Sequence, residues 1–209
     1  GCGRTRCPWR PCRASLSQTN RDVEPKEDAM LIRAATSTLL VVDIQERLLP
    51  AIDDGPALVE YSQWLLRVAR ALDVPVLASE QYSKGLGPTV AALRDELEPT
   101  QILEKLDFSA AADGALLRAP GGDRRQFVVC GSEAHVCVLQ TVLDLLGRGR
   151  EVFVVEEAIG SRRPSDKALA VERMRQAGAM IVSREMVAFE WMERAGSDRF
   201  REISRNFIR

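Results

Sequence analysis

Three side chains of different chemistry fall where a thiol reaction could be assembled: Asp43, Lys105 and Cys137. Cys137 lies in Phe127-Val128-Val129-Cys130-Gly131-Ser132-Glu133-Ala134-His135-Val136-Cys137, which reads as a buried strand, a glycine-bearing turn and the first turn of a helix. Free N–H groups and partial positive charge at a helix start lower a thiol pKa and hold anions. The chain has 1 histidine, His135, two residues from Cys137. Residues two apart do not share a helix face. A Cys–His pair is therefore disfavoured, and a base for Cys137 has to be an upstream carboxylate. Asp43 could take the thiol proton, return it to a leaving amine and then activate water. Lys105 could keep Asp43 ionised and favour thiolate by its charge. Backbone N–H groups of Glu133 and Cys137 could stabilise a tetrahedral oxyanion. That chemistry is hydrolysis of an amide or related carbonyl through a thioester.

Each residue also has a plainer reading. An Asp after a first apolar strand can cap a helix or bind a cation or phosphate. A Lys after a strand is commonly a solvated rim residue. Free cysteines are commonly small core residues, and Cys130, inside the apparent strand, reads as core. The three together, in this order, are more specific than any one. No Asp/His cluster has ligand spacing, so neither a metal nor another cofactor is expected.

The elements that must position these residues alternate. Apolar strands are predicted at Leu39–Val42, Val74–Ala78, Gln101–Leu103, Phe127–Cys130, Glu151–Val155 and Met180–Val182. Between them, helical periodicity covers Ala57–Leu72, with Leu58, Tyr61, Leu65, Val68 and Leu72 on one face. Further helices are predicted at Pro88–Leu97, Asp113–Arg118, Val136–Leu146, from an N-cap at Ser165 to Gln176, Val187–Arg194 and Arg199–Ile208. This alternation implies a three-layer, doubly wound α/β fold, a mostly parallel sheet with helices on both faces. Ligands in such folds bind beyond the carboxyl ends of the strands, near the switch in strand order. With the order 3-2-1-4-5-6, Asp43 and the Cys137 turn would flank that crevice and Lys105 would reach in from strand 3.

The 209 residues suit one domain with a sizeable core, and the formal net charge of −1 gives no broad nucleic-acid footprint. No apolar run approaches membrane-spanning length. The 5 cysteines, with one in a strand core, fit reduced cytoplasmic thiols better than a disulfide framework. Residues 1–29 differ from the rest: Gly1 to Arg13 is basic without an acid, and Asp22 to Asp28 is charged without an apolar face. They are expected to be disordered, with the domain running over 30–209. Met30 reads as a natural start, which would make the extension a gene-boundary artefact or a truncated organellar targeting peptide. Cys2, Cys7 and Cys12 lack a fourth ligand for a structural metal.

The segments Leu39-Leu40-Val41-Val42-Asp43-Ile44-Gln45-Glu46, Leu103-Glu104-Lys105-Leu106-Asp107-Phe108-Ser109 and Val129 to Val138 resemble the isochorismatase-like cysteine hydrolases over about residues 36–185. Glu80-Gln81-Tyr82 with Gly85-Leu86-Gly87-Pro88-Thr89 resembles the isochorismatase-domain-containing subgroup. So does Asp144 to Gly149 followed by Val154-Val155-Glu156-Glu157-Ala158. The resemblance implies six parallel strands in the order 3-2-1-4-5-6 and an Asp–Lys–Cys triad at Asp43, Lys105 and Cys137. It also implies a cis peptide between Ser132 and Glu133, a small-molecule substrate and a homo-oligomer, for which Val187–Met192 could serve as interface. Family nicotinamidases carry metal-binding histidines between the first two strands, and this chain has none there. True isochorismatases commonly lack the cysteine, so Cys137 points to acyl transfer rather than vinyl-ether hydrolysis. An ether or ester hydrolase of isochorismatase type is the alternative, and a non-catalytic scaffold is the rival from another class. Leu48, Tyr82, Phe108, Val136 and Ile159 are expected to line the substrate pocket, and their apolar balance suggests a small, weakly charged acyl group.

Overall fold

The computed structural model describes Gly1 and residues 30–208. The chain divides into two units at Met30, the second being Leu31–Arg209. The expected disorder of 1–29 and the readings of Cys2, Cys7 and Cys12 fall outside the described residues. In the second unit, β1 (Ser37–Val42) leads to α1 (Gly55–Ala71), β2 (Val76–Gln81), the single turns α2 (Ser83–Leu86) and α3 (Ala91–Arg94), and β3 (Ile102–Lys105). The short α4 (Ala115–Arg118) precedes β4 (Gln126–Ser132). A π-helical turn (Ala134–Val138) runs into α5 (Leu139–Gly147), followed by β5 (Glu151–Gly160), α6 (Pro164–Gln176) and β6 (Met180–Val182). The helices α7 (Arg184–Met192) and α8 (Asp198–Ile203) follow, and a second π turn (Ser204–Ile208) ends the described chain.

All six strands pair in parallel in the order β3-β2-β1-β4-β5-β6. The period-2 alternation of β1 shows how the three layers arise. Leu39 and Val41 join Leu65 and Leu66 of α1 and Trp191 of α7 on one face. Leu40 and Val42 join Leu116 of α4, Leu145 of α5 and Met174 of α6 on the other. Every residue of β1 and β4 is buried, as expected of central strands covered on both faces.

The differences from the expected elements have local causes. The predicted helix from Pro88 shrinks to α3 because Thr89 is held extended: its N–H donates to the buried Glu80 Oε1 at 2.6 Å, and it forms an antiparallel bridge to Gln45. Strand β5 outruns its predicted end at Val155, since after Glu156 and Glu157 the apolar Ala158-Ile159 resumes and pairs with the end of β4. Gly131 belongs to β4 rather than to a turn. Its φ is +127°, and a Cβ there would lie 2.1 Å from the Val42 carbonyl oxygen, so only glycine lets β4 approach the end of β1 so closely. Helix α6 begins at Pro164 with Arg163, not Ser165, at its N-cap. In α7, Val187, Ala188, Trp191 and Met192 are buried in the domain's own core, so they do not form the expected interface strip.

Candidate active site

The carboxyl ends of β1, β3 and β4 converge, as the switch in strand order requires. Asp43 is the residue after β1, with φ +48°, a conformation that Asp tolerates better than most side chains. Its N–H donates to Ser79 O of β2 at 3.1 Å, and its carbonyl accepts from Ser132 Oγ of β4 at 2.8 Å. Those two bonds fix the backbone, and Ser79 Oγ donates to Oδ1 at 2.7 Å to fix the carboxylate. Lys105, the last residue of β3, lies two strand spacings away, roughly 9–10 Å. Its long side chain crosses that gap and places Nζ 2.7 Å from Asp43 Oδ2. Both groups are taken from water: the Lys105 side chain is 7% exposed and that of Asp43 is 0% exposed.

Cys137 faces the same carboxylate from the π turn, near enough that the Asp43 charge acts on its thiol. The π register has a backbone consequence. The Glu133 carbonyl accepts from Val136 N at 3.0 Å and from Val138 N at 3.1 Å, so the N–H that closes the turn is not that of Cys137. N–H groups at a helix start lack the full set of intrahelical acceptors. The peptide between Ser132 and Glu133 is cis. His135 is directed elsewhere, with Nδ1 3.0 Å from Ser161 Oγ, and Glu133 pairs with Arg162 at 2.5 Å.

The electrostatics differ from the expectation of an activated thiolate. The Cys137 thiol is pushed up to about 12, first by burial and then by the Asp43 charge, with Lys105 opposing. Asp43 is also raised above the ordinary carboxylate value, because burial outweighs the Lys105 charge and the hydrogen bonds from Lys105 and Ser79. Cys137 thus rests as a thiol beside a carboxyl group of increased basicity, an arrangement for general-base rather than preformed-thiolate chemistry. Cys130, wholly buried in β4, is likewise pushed up to about 12 by burial.

The folded pKa of Cys130 is raised above its unfolded value of 9.0, so stability from the buried thiol is full below pH 9 and is lost as pH rises toward 12. By pH 11 the loss should be roughly 2–3 kcal/mol for this thiol. Urea unfolding of wild type and Cys130→Ala at pH 8 and 11 checks this: the variant should show the smaller alkaline loss. Equal losses would place the cause elsewhere.

The five expected pocket residues differ in exposure and surroundings. Tyr82, 53% exposed, lines a space of about 560 Å³ with Lys105. The same space is bordered by Lys84, Glu104, Asp107 and Asp113, so its wall is charged rather than apolar. Phe108 is exposed nearby, and its carbonyl accepts from Lys105 Nζ at 3.1 Å. Ile159 is buried and borders a different space of about 570 Å³ with Leu58 and Lys167. Leu48 and Val136 are half-buried. The sequence reading missed Ser79 and Gln81, the latter accepting from Lys105 Nζ at 2.7 Å. Their signal is present in Val76-Leu77-Ala78-Ser79-Glu80-Gln81, where an apolar strand turns polar at its carboxyl end. Among the described residues no group of three or more His, Cys, Asp or Glu could hold a metal ion, and no helix is long and apolar enough to cross a membrane.

The family model described as the isochorismatase domain matches residues 37–186. Isochorismatase domain-containing protein 2 of Macaca fascicularis is 41% identical over 173 residues, covering 81% of this chain and 82% of the relative. Among solved structures, the MAR1 ribonuclease of Caenorhabditis elegans superposes with a TM-score of 0.77 at 36% identity, covering 84% of this chain and 91% of that one. The YcaC gene product of Escherichia coli, an octameric hydrolase of unknown specificity, shares the fold with a TM-score of 0.80 at 22% identity, covering 88% and 93%. The parallel sheet with its order of strands, the extent of the domain match and the identity to these relatives together show that the chain belongs to the isochorismatase-like hydrolase family.

Proposed function

We propose that this protein is a metal-independent cysteine hydrolase that cleaves a small amide, ureido compound or related carbonyl through a thioester on Cys137. The observation that carries this reading is one buried carboxylate, Asp43, paired with the Lys105 ammonium at 2.7 Å and facing the Cys137 thiol. Asp43 removes the thiol proton as sulfur attacks the carbonyl carbon. The backbone N–H groups of Glu133 and Cys137 receive the oxyanion. Collapse breaks the carbon–nitrogen bond, and the proton on Asp43 passes to the departing nitrogen. Water then attacks the thioester with Asp43 again as base, releasing the acid and restoring the thiol. Lys105 favours the ionised form of Asp43, to which the carboxyl returns at the end of each cycle. Tyr82 borders the space beside Lys105, with Phe108 exposed nearby. The charged wall of Lys84, Asp107 and Asp113 favours a substrate with a polar tail. In this reading the enzyme works as a homo-oligomer in a reducing, cytoplasmic setting that keeps both described thiols free.

The test is a screen of small amides and ureido acids, with a short RNA included because of the C. elegans relative, against wild type and Cys137→Ala. Turnover of a carbonyl substrate should vanish in the variant, and wild type quenched during turnover should carry one acyl mass on Cys137. Hydrolysis that survives Cys137→Ala would overturn the thioester. Exhaustive chelation should leave turnover within about twofold of the untreated enzyme. Activity lost to chelator and restored by one divalent ion would overturn metal independence.

A further inference from the structure

Lys105 Nζ has four acceptors: Asp43 Oδ2 and Gln81 Oε1, each at 2.7 Å, and the carbonyls of Phe108 at 3.1 Å and Asp107 at 3.3 Å. An ammonium has three protons, so the two short bonds to Asp43 and Gln81 define its place. Gln81 is itself held from three directions. Its Nε2 donates to Leu106 O at 2.7 Å. Its backbone N–H donates to Gln45 Oε1 at 2.8 Å, and its carbonyl accepts from Gln45 Nε2 at 3.0 Å. Gln45 is fully buried and also donates to Gly87 O at 2.7 Å. Neither end of the Gln81 amide can be exchanged, because an ammonium only donates and a carbonyl only accepts. Gln81 also faces Lys105 directly in the β2–β3 register.

We infer that Gln81 is a positioning residue: its amide oxygen, a neutral acceptor, fixes the Lys105 ammonium on Asp43 and leaves Asp43 as the only carboxylate bonded to that cation among the described residues. The inference rests on the reading of Asp43 as the base of Cys137. A glutamine here does what a glutamate could not. A second carboxylate would share the cation and add negative charge beside Asp43, holding Asp43 protonated to higher pH. The other groups facing this cluster are the Cys137 thiol and Ser79 hydroxyl on Asp43, Glu133 behind Cys137 with its partner Arg162, and Lys84, Glu104 and Asp107 around the adjoining space.

The probe is iodoacetamide, applied to the full chain between pH 5 and 9, with Cys137 alkylation followed by peptide mass mapping. In wild type the rate should fall on the acid side as Asp43 takes up a proton. In Gln81→Glu this acid limb should move to higher pH, lowering the rate along the limb while the rate on the alkaline plateau stays within about twofold of wild type. Gln81→Met keeps the side-chain length without the acceptor, so its limb should also move up, by less. If both variants fold but keep the wild-type limb, with only a uniform change in rate, Gln81 is merely structural and the inference is overturned. Asp43→Asn separates this from the reading beneath it. If that variant keeps the limb, Asp43 is not the base and the mechanism itself falls. If it abolishes the limb while both Gln81 variants leave it in place, only the role of Gln81 falls.

Discussion

Asp43→Asn is expected to lower turnover of an accepted substrate by roughly 10²–10⁴-fold, the range in which a positioned general base contributes. The substitution isolates the base because so little else changes. Asn is isosteric, and it shares with Asp a tolerance for the left-handed backbone that this position adopts at φ +48°. Its side-chain oxygen can still accept from Lys105, and Ser79 can turn its hydroxyl to suit the amide. The Lys105 ammonium loses its counter-charge, so the melting temperature should fall, yet the chain should still fold while activity is lost. With the thiol pushed up to about 12, attack by sulfur at neutral pH calls for a base beside it, and Asp43 is the carboxyl group there. Circular dichroism and a burst assay for the acyl-enzyme check this together: the fold should be retained and the burst lost. A folded Asp43→Asn protein with a wild-type burst would remove Asp43 from the chemistry.

Lys105→Met should cost both stability and activity, each with a characteristic pH dependence. Removing one partner of a buried ion pair leaves the other charge uncompensated, a loss of about 3–5 kcal/mol when that charge persists. Asp43 can escape by taking up a proton. Its folded pKa already lies above its ordinary value of 3.8, and loss of the neighbouring cation raises it further. A carboxylate with a raised folded pKa contributes stability that is lost as pH rises through that folded value. The deficit of Lys105→Met relative to wild type should therefore be larger at pH 8 than at pH 5. The acid limb of turnover should move to higher pH for the same reason. Urea unfolding of both proteins at the two pH values is the measurement. Equal deficits would mean that Asp43 does not feel Lys105, contrary to the 2.7 Å ion pair.

Much of this arrangement was legible in one dimension. The apolar runs of β1 and β4 are buried on both faces, so they carry no polar interruption, and the position of Asp43 follows from where the β1 run stops. Helix α1 was equally plain, because a stripe at 3.6-residue spacing must face a core. The cleft end of β5 was less legible: Glu156 and Glu157 look like a strand terminus, and only the partners Gly131 and Ser132 draw the chain on to Gly160. The shortened α3 had a similar cause, since the bond from Thr89 to Glu80 spans 9 residues of chain and competes with a helix start that local signals favoured.

For the site, residue types and strand-end positions determined which groups could meet and what chemistry a carboxylate, an ammonium and a thiol could perform. They did not determine the charge state. A helix start beside a lysine suggests a lowered thiol pKa, yet burial acts on Cys137 more strongly than either, and burial is a property of everything packed around a residue rather than of its neighbours in sequence. The same holds for the substrate space. The five apolar residues expected to line it were assigned from type alone, whereas the folded chain exposes Tyr82 and Phe108, buries Ile159 against another cavity and brings Lys84, Asp107 and Asp113 to the wall beside Lys105. Sequence thus determined the order of the strands' chemistry along the chain. Tertiary structure decided the distances, the desolvation and the partners Ser79, Gln81 and Gln45, because each of these depends on strands that are adjacent only once the sheet has formed.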